Sequence, residues 1–157
     1  MPMNSTKITA NTQLSSIGGT FDGILFFNGG TASTVSVFDN NNADIVVPFD
    51  FNNDPTIANG ATAGLSVGML VFGDGIPEGA TIASITDPTT FELSASTTGG
   101  AKTSEALTFI SVDNPVGKFL LGTSTSDDIR GLGIICRNGI KIVASNFTSI
   151  ELFALTN

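Results

Sequence analysis

The stretch Ser33-Thr34-Val35-Ser36-Val37-Phe38-Asp39-Asn40-Asn41-Asn42, followed by Ile45-Val46-Val47-Pro48-Phe49-Asp50-Phe51, sets the pattern for the whole chain. Val35 and Val37 alternate with Ser36, which gives an extended strand one apolar and one polar face. The run Asp39 to Asn42 then breaks the strand, because Asn and Asp side chains bond to nearby backbone and tolerate positive φ. A second β-branched and aromatic run resumes the sheet. Pro48 within it cannot donate a ladder hydrogen bond, which places it at an edge or a bulge. Short strands separated by turn chemistry are therefore predicted.

The same rhythm continues in both directions. Upstream, Gly23-Ile24-Leu25-Phe26-Phe27 forms a compact apolar strand closed by Asn28-Gly29-Gly30. Downstream of Phe51 the texture changes between two polar, Pro-ended junctions, Asn52-Asn53-Asp54-Pro55 and Val112-Asp113-Asn114-Pro115. Between them lie strand-like runs at Val67–Phe72, Ala80–Thr86, Phe91–Leu93 and Leu107–Val112, with a turn at Gly73-Asp74-Gly75-Ile76-Pro77-Glu78-Gly79 and another at Asp87-Pro88. Thr103 to Phe109 has the most helical character and reads better as the approach to a strand. After Pro115 come a strand at Lys118–Leu121, a polar excursion at Thr123–Asp128 and a last strand at Ser149–Phe153. Ile134-Ile135-Cys136-Arg137 and Ile140-Lys141-Ile142-Val143 flank Asn138-Gly139, a pair that predicts a hairpin with a type I′ turn.

The predicted fold is all-β: a jelly-roll-like antiparallel β-sandwich of roughly seven or eight strands, interrupted by an inserted β subdomain of about four more. The outer sandwich is discontinuous, residues 1–55 and 114–157, and the insert is 56–113.

Composition limits what such a chain can do. Hydrophobic residues make up 41% and mean hydropathy is +0.30, enough for a core. Charged residues are 13%, roughly half the usual share of about 25%, which suits a surface covered by protein partners. There are 12 Phe and no Trp or Tyr, so the rings suit a dry core or interface better than a sugar site or a nucleobase platform. The net charge is −8 with only six scattered Lys and Arg, which disfavours nucleic acid, since affinity for phosphates comes largely from basic side chains. The segment Met1-Pro2-Met3-Asn4-Ser5-Thr6-Lys7 has neither the basic nor the apolar region of a secretion signal, and no run reaches the ~18 apolar residues of a membrane span.

Chemistry is sparse. The chain has no histidine, which removes Ser-His-Asp and Cys-His nucleophile systems and most transition-metal sites. The glycines at 73, 75 and 79 precede Pro77 and a strand instead of opening a helix, so no pyrophosphate cradle results. Asp50-Phe51-Asn52-Asn53-Asp54 begins like a calcium loop, but Pro55 stands where the turn glycine belongs and Ala61 where the bidentate Glu belongs. Asp127 and Asp128 beside Arg130 read as a solvated loop. Cys136, the lone cysteine, reads as a buried thiol. The sequons at Asn4 and Asn146 read as accidental without a signal peptide. No enzyme activity, catalytic residue, cofactor, metal or small-molecule substrate is expected.

The insert, from Val67-Gly68-Met69 through Gly75-Ile76-Pro77-Glu78-Gly79-Ala80-Thr81-Ile82 to Leu93-Ser94, resembles a β-module that recurs in structural proteins of tailed bacteriophages. The outer part is similar to small jelly-roll virion proteins, in its strand ending near Phe27-Asn28, in Val35 to Asn40, and in Gly133 to Ile140, which follows a Gly-Ile-x-x-x-Asn-Gly-Ile pattern. The resemblance implies a capsid decoration, or cement, protein that binds and stabilises the outer surface of a phage capsid. Its implied partners are the major capsid protein and itself, as a homotrimer, with no nucleic acid and no membrane. Its implied location is the outer capsid surface of a virion assembled in the host cytoplasm, with Met1 to Gly19 as an arm along the shell. A phage tail, baseplate or fibre component with the insert as an adhesion unit is the alternative.

Overall fold

A computed structural model describes residues 4–8, 12–15, 19–27, 33–113, 115–121, 127–145 and 149–155, with side chains described over 34–113, 115–120 and 133–144. The described residues are all-β, without a helix. They form β1 (Asn4–Ile8), β2 (Thr12–Ser15), β3 (Gly19–Phe27), β4 (Ser33–Phe38), β5 (Ile45–Asn52), β6 (Thr56–Ile57) and β7 (Leu70–Phe72). These are followed by β8 (Ile82–Asp87), β9 (Thr90–Leu93), β10 (Ala101–Ile110), β11 (Pro115–Leu121), β12 (Asp127–Cys136), β13 (Ile140–Ser145) and β14 (Ser149–Leu155). Thr103 to Phe109 lies inside β10, as the sequence predicts. The turn at Asn28–Gly30 and most of the polar excursion at Thr123–Asp128 lie outside the described residues.

Two compact units divide the chain. The outer unit is Met1–Asn41 with Asp113–Asn157, and the inner unit is Asn42–Val112. The second boundary falls at the predicted junction, but the first lies earlier than residue 56. Ile45–Phe51, which the sequence pattern assigned to the outer part, pairs with β10 and places Phe49 and Phe51 in the inner core. The polar run Asn52–Pro55 is instead an internal turn. Asp54 Oδ1 accepts from Thr56 N at 3.0 Å, and Asp54 O accepts from Thr97 N and Thr97 Oγ1, each at 3.0 Å. Turn chemistry looks the same in sequence whether or not it separates two cores.

The outer unit has two four-stranded antiparallel sheets, ordered β1-β14-β3-β12 and β11-β4-β13-β2. Val35 and Val37 are fully buried on β4, as their alternation predicts, and Ile140 to Ala144 are buried along β13, which lies between β4 and β2. Within the segment expected as an arm, the described residues Asn4–Ile8 and Thr12–Ser15 are held in the sheets, since β1 pairs with β14 and β2 pairs with β13.

The expected Asn138-Gly139 hairpin does not form. β12 pairs with β3 while β13 pairs with β4 and β2, so Asn138-Gly139 carries the chain from one sheet to the other. Neither residue has positive φ, whereas a type I′ turn needs it at both central positions. The cause lies far away in sequence. Asp39 Oδ1 accepts from Asn138 N at 2.7 Å and Gly139 N at 3.2 Å. Burial alone pushes the Asp39 carboxyl pKa up, but the N–H groups of Arg137, Asn138 and Gly139 and the Arg137 charge outweigh it and hold the group below its ordinary value.

The inner unit has two three-stranded sheets, β5-β10-β7 and β6-β9-β8. Bridges join them at both ends. Asp50 exchanges two hydrogen bonds with Ala58, at 2.8 and 2.9 Å, and so links β5 to β6. Leu70 bridges Thr81, flanked by Val71 N to Ala80 O at 2.9 Å and Ile82 N to Met69 O at 3.0 Å, which links β7 to the start of β8. The six strands thus close into a ring, β5-β10-β7-β8-β9-β6. Closure pairs the sheet edges only where these bridges fall. Inside it Phe49, Phe91 and Phe109 pack edge to face, with centroids 5.1, 5.8 and 5.6 Å apart. Phe51, Ile57, Leu65, Val71, Ala80, Ile82, Leu93 and Leu107 pack with them in this core.

Candidate functional site

The glycine-rich segment 73–79 is a structural turn. Gly75 has φ +84°, and a Cβ there would lie 2.5 Å from Thr98 O and 3.2 Å from the Phe51 ring. Only glycine lets this loop approach Thr98 closely enough for Thr98 N to donate to Gly75 O at 2.8 Å. Lys102 pairs with Asp74 beside it, which raises the lysine pKa and lowers that of the aspartate.

Asp50, the first residue of the calcium-like spacing, is engaged by one backbone and one side-chain donor. Its Oδ1 accepts from Ser104 N at 2.7 Å and its Oδ2 from Asn59 Nδ2 at 2.9 Å. Ser104 and Asn59 have φ of 53° and 60°, so one carboxylate holds two residues in the left-handed region. These two hydrogen bonds keep the Asp50 pKa below its ordinary value. Among the described residues no three His, Cys, Asp or Glu side chains gather as a metal site. Cys136 is buried at 2% exposure, and burial, with a smaller contribution from the Asp39 charge, pushes its thiol pKa up to about 11. The side chains of Asp127, Asp128, Arg130 and Asn4, and all of Asn146, lie outside the described residues.

The feature with the geometry of a site is one that sequence reasoning missed. A groove of about 530 Å³ opens on the inner unit, lined by Val47, Pro48, Gly60, Ala61 and Pro88, with Asn59 and Thr89 as its polar side chains. It exists because β5 and the chain after β6 part company. They are joined at Asp50 and Ala58, but Gly60 N donates to Thr89 O at 3.4 Å and Thr62 N to Pro88 O at 3.0 Å. Gly60 passes directly over Phe49, where a Cβ would lie 2.4 Å from the ring and 2.5 Å from Pro48 O.

The groove lies along an incompletely paired strand edge. Asp50 directs both its N–H and its C=O away from β10, so alternation turns the Pro48 C=O and both polar groups of Val46 the same way. Pro48 is tolerated there because its missing N–H would have had no ladder partner. Among the described residues no strand pairs with β5 on that side at Val46 and Pro48. The Val46 side chain is itself 62% exposed. The sequence analysis marked only Pro48, as an edge or bulge position.

Charge is also divided unevenly. Eight of the fourteen acidic residues but only one of the six basic ones fall in 42–112, a net charge of −7 that leaves −1 to the outer unit. That one cation, Lys102, is paired with Asp74. No protein-family model, curated protein or solved structure matches the chain.

Proposed function

We propose that the chain is a structural virion protein, a decoration or cement protein that binds and stabilises the outer surface of a phage capsid as a homotrimer. The observation that carries this reading is the strand order of the outer unit. Counted along that unit alone, its eight strands are ordered first-eighth-third-sixth in one sheet and fifth-fourth-seventh-second in the other. This order supports a jelly roll, the eight-stranded pair of Greek keys used in viral shells and in lectins. The inner unit then enters between the fourth and fifth outer strands. A fold does not by itself carry a function. The virion assignment adds the phage-like pattern of 67–94, the low charge content and the absence of histidine, Trp and Tyr from the sequence.

Two measurements test it. Antibody labelling of purified particles is expected on the head, and native mass spectrometry is expected to give three times the 16.1 kDa chain mass. Labelling confined to the tail would overturn the capsid assignment, and a stable monomer at micromolar concentration would overturn the trimer.

A further inference from the structure

We infer that the groove along β5 is a docking site for an extended, basic protein segment, which adds as a strand to the open edge at Val46. Three features select this occupant. Val46 offers one N–H and one C=O on the side where β5 has no strand partner among the described residues, just beyond the point where Gly60 lies against the Pro48 C=O. An added strand satisfies such groups, and alternate side chains enter the adjoining pocket. The groove between them is apolar, formed by Val47, Pro48, Ala61 and Pro88, and so accepts the small or branched side chains of an extended chain.

The third feature is charge complementarity. Each polar residue lining the groove is held by an aspartate. Asp50 Oδ2 accepts from Asn59 Nδ2 at 2.9 Å, and Asp87 Oδ1 accepts from Thr89 N at 2.7 Å and Thr89 Oγ1 at 2.9 Å. These bonds keep both carboxyls below their ordinary pKa, so they stay ionised around the groove at neutral pH. The unit carries −7 overall, which steers a cationic segment toward it and repels an acidic one. A second copy of the inner unit, equally acidic, is the wrong electrostatic partner.

The test uses the full-length protein and two pools of octapeptides. One has Lys at both ends and the other Glu, each with randomised Val, Ile, Thr, Ser and Leu between. Retained peptides are read by mass spectrometry, and the best is titrated by fluorescence anisotropy against wild type, Val46→Pro and Ala61→Lys. Val46→Pro removes the open-edge N–H alone, at a site two residues from a proline the strand already accommodates. Ala61→Lys puts a cation on the groove wall at an exposed position. Circular dichroism and thermal melting establish that both variants are folded.

Retention of Lys-ended peptides and not Glu-ended ones, with at least ten-fold weaker binding to each folded variant, is the expected result. The inference is overturned if neither pool is retained, if Lys-ended peptides bind both variants as well as wild type, or if Val46→Pro instead abolishes self-association. No arm of the test requires a capsid, so its failure and that of the virion reading are separate.

Discussion

Replacing Phe91 tests the claim that ring geometry, and not only apolar volume, holds the inner unit together. Phe91 is fully buried and edge-on to both neighbours, 5.1 Å from Phe49 and 5.6 Å from Phe109 between centroids. Phe91→Leu keeps most of the apolar volume and loses two aromatic contacts at about 0.5–1.5 kcal/mol each, a cost of about 1–3 kcal/mol. Phe91→Ala adds a cavity and is expected to cost about 3–5 kcal/mol. The decisive variant is the double mutant Phe49→Leu/Phe91→Leu. If the rings interact, its cost departs from the sum of the single costs by about 0.5–1.5 kcal/mol. The chain has no Trp or Tyr, and two cores need not unfold together. Urea titration by circular dichroism should therefore be paired with hydrogen exchange read on peptides from β5, β9 and β10. Additivity within about 0.3 kcal/mol, the scatter seen for independent sites, would refute the ring argument and leave Phe91 a volume filler. Unchanged exchange in β5 and β10 would refute its place in that core.

Gly75→Ala should destabilise more than Gly79→Ala in thermal melts. Both have positive φ, a strain of about 1–2 kcal/mol for a side chain, but a Cβ at Gly75 meets Thr98 O at 2.5 Å while one at Gly79 meets nothing within 4 Å. Equal losses would remove the Thr98 contact from the explanation. Asp39→Ala leaves the Asn138 and Gly139 N–H groups without their acceptor; the expected cost is about 1–2 kcal/mol, partly restored by Asp39→Asn, and an unchanged urea midpoint would count against it. The Asp50 pKa is depressed, so its contribution is present above the ordinary aspartate value near ~4 and is lost as pH falls through the folded value. The melting temperature should therefore drop more steeply below that value for wild type than for Asp50→Asn, and parallel profiles would contradict the assignment. The Cys136 thiol, with its pKa pushed up to about 11, should resist alkylation at pH 8 until the protein is denatured. Burial of the neutral thiol stabilises most below the ordinary thiol value, and that contribution fades as pH rises through the folded one. Prompt labelling of native protein would show the thiol to be exposed.

Local chemistry was legible in the sequence and pairing partners were not. Val35 and Val37 declare a buried face by alternation, and both are fully buried. Pro48 declares an edge, and it lies on one. The misjudged features are those in which a distant residue overrides a local signal. Asn138-Gly139 has the composition of a tight hairpin, yet an aspartate 99 residues away takes its amides and turns it into a crossing between sheets. The junction at residue 55 failed for a related reason. Asx and proline chemistry marks where a chain turns, while membership of a core depends on β10, whose Leu107 and Phe109 pack with Phe49. The groove had almost no sequence signal, because it is made by strands that fail to meet. Its one clue besides Pro48 was Gly60, whose requirement becomes visible only when the Phe49 ring is placed beneath it.

The acidity of the inner unit has two consequences that cannot be separated by mutation. Crowding −7 onto one small unit costs stability through self-repulsion. The sequence nevertheless keeps these carboxylates, and several have specific structural work. Asp50 holds Ser104 and Asn59, Asp54 closes the turn into β6 through Thr56, and Asp87 holds Thr89. Glu92 accepts from the Thr56 hydroxyl across the β6–β9 pair at 3.0 Å. Each anion offsets part of its repulsion by satisfying a donor that a turn or edge would otherwise leave to water. The field around the β5 groove therefore comes from the same groups that shape it. Neutralising Asp50 or Asp87 weakens the attraction for a basic segment and also loosens Asn59 or Thr89 at the groove. For this reason the backbone edge at Val46 and the wall at Ala61, which carry no charge, are the positions where docking can be tested apart from folding.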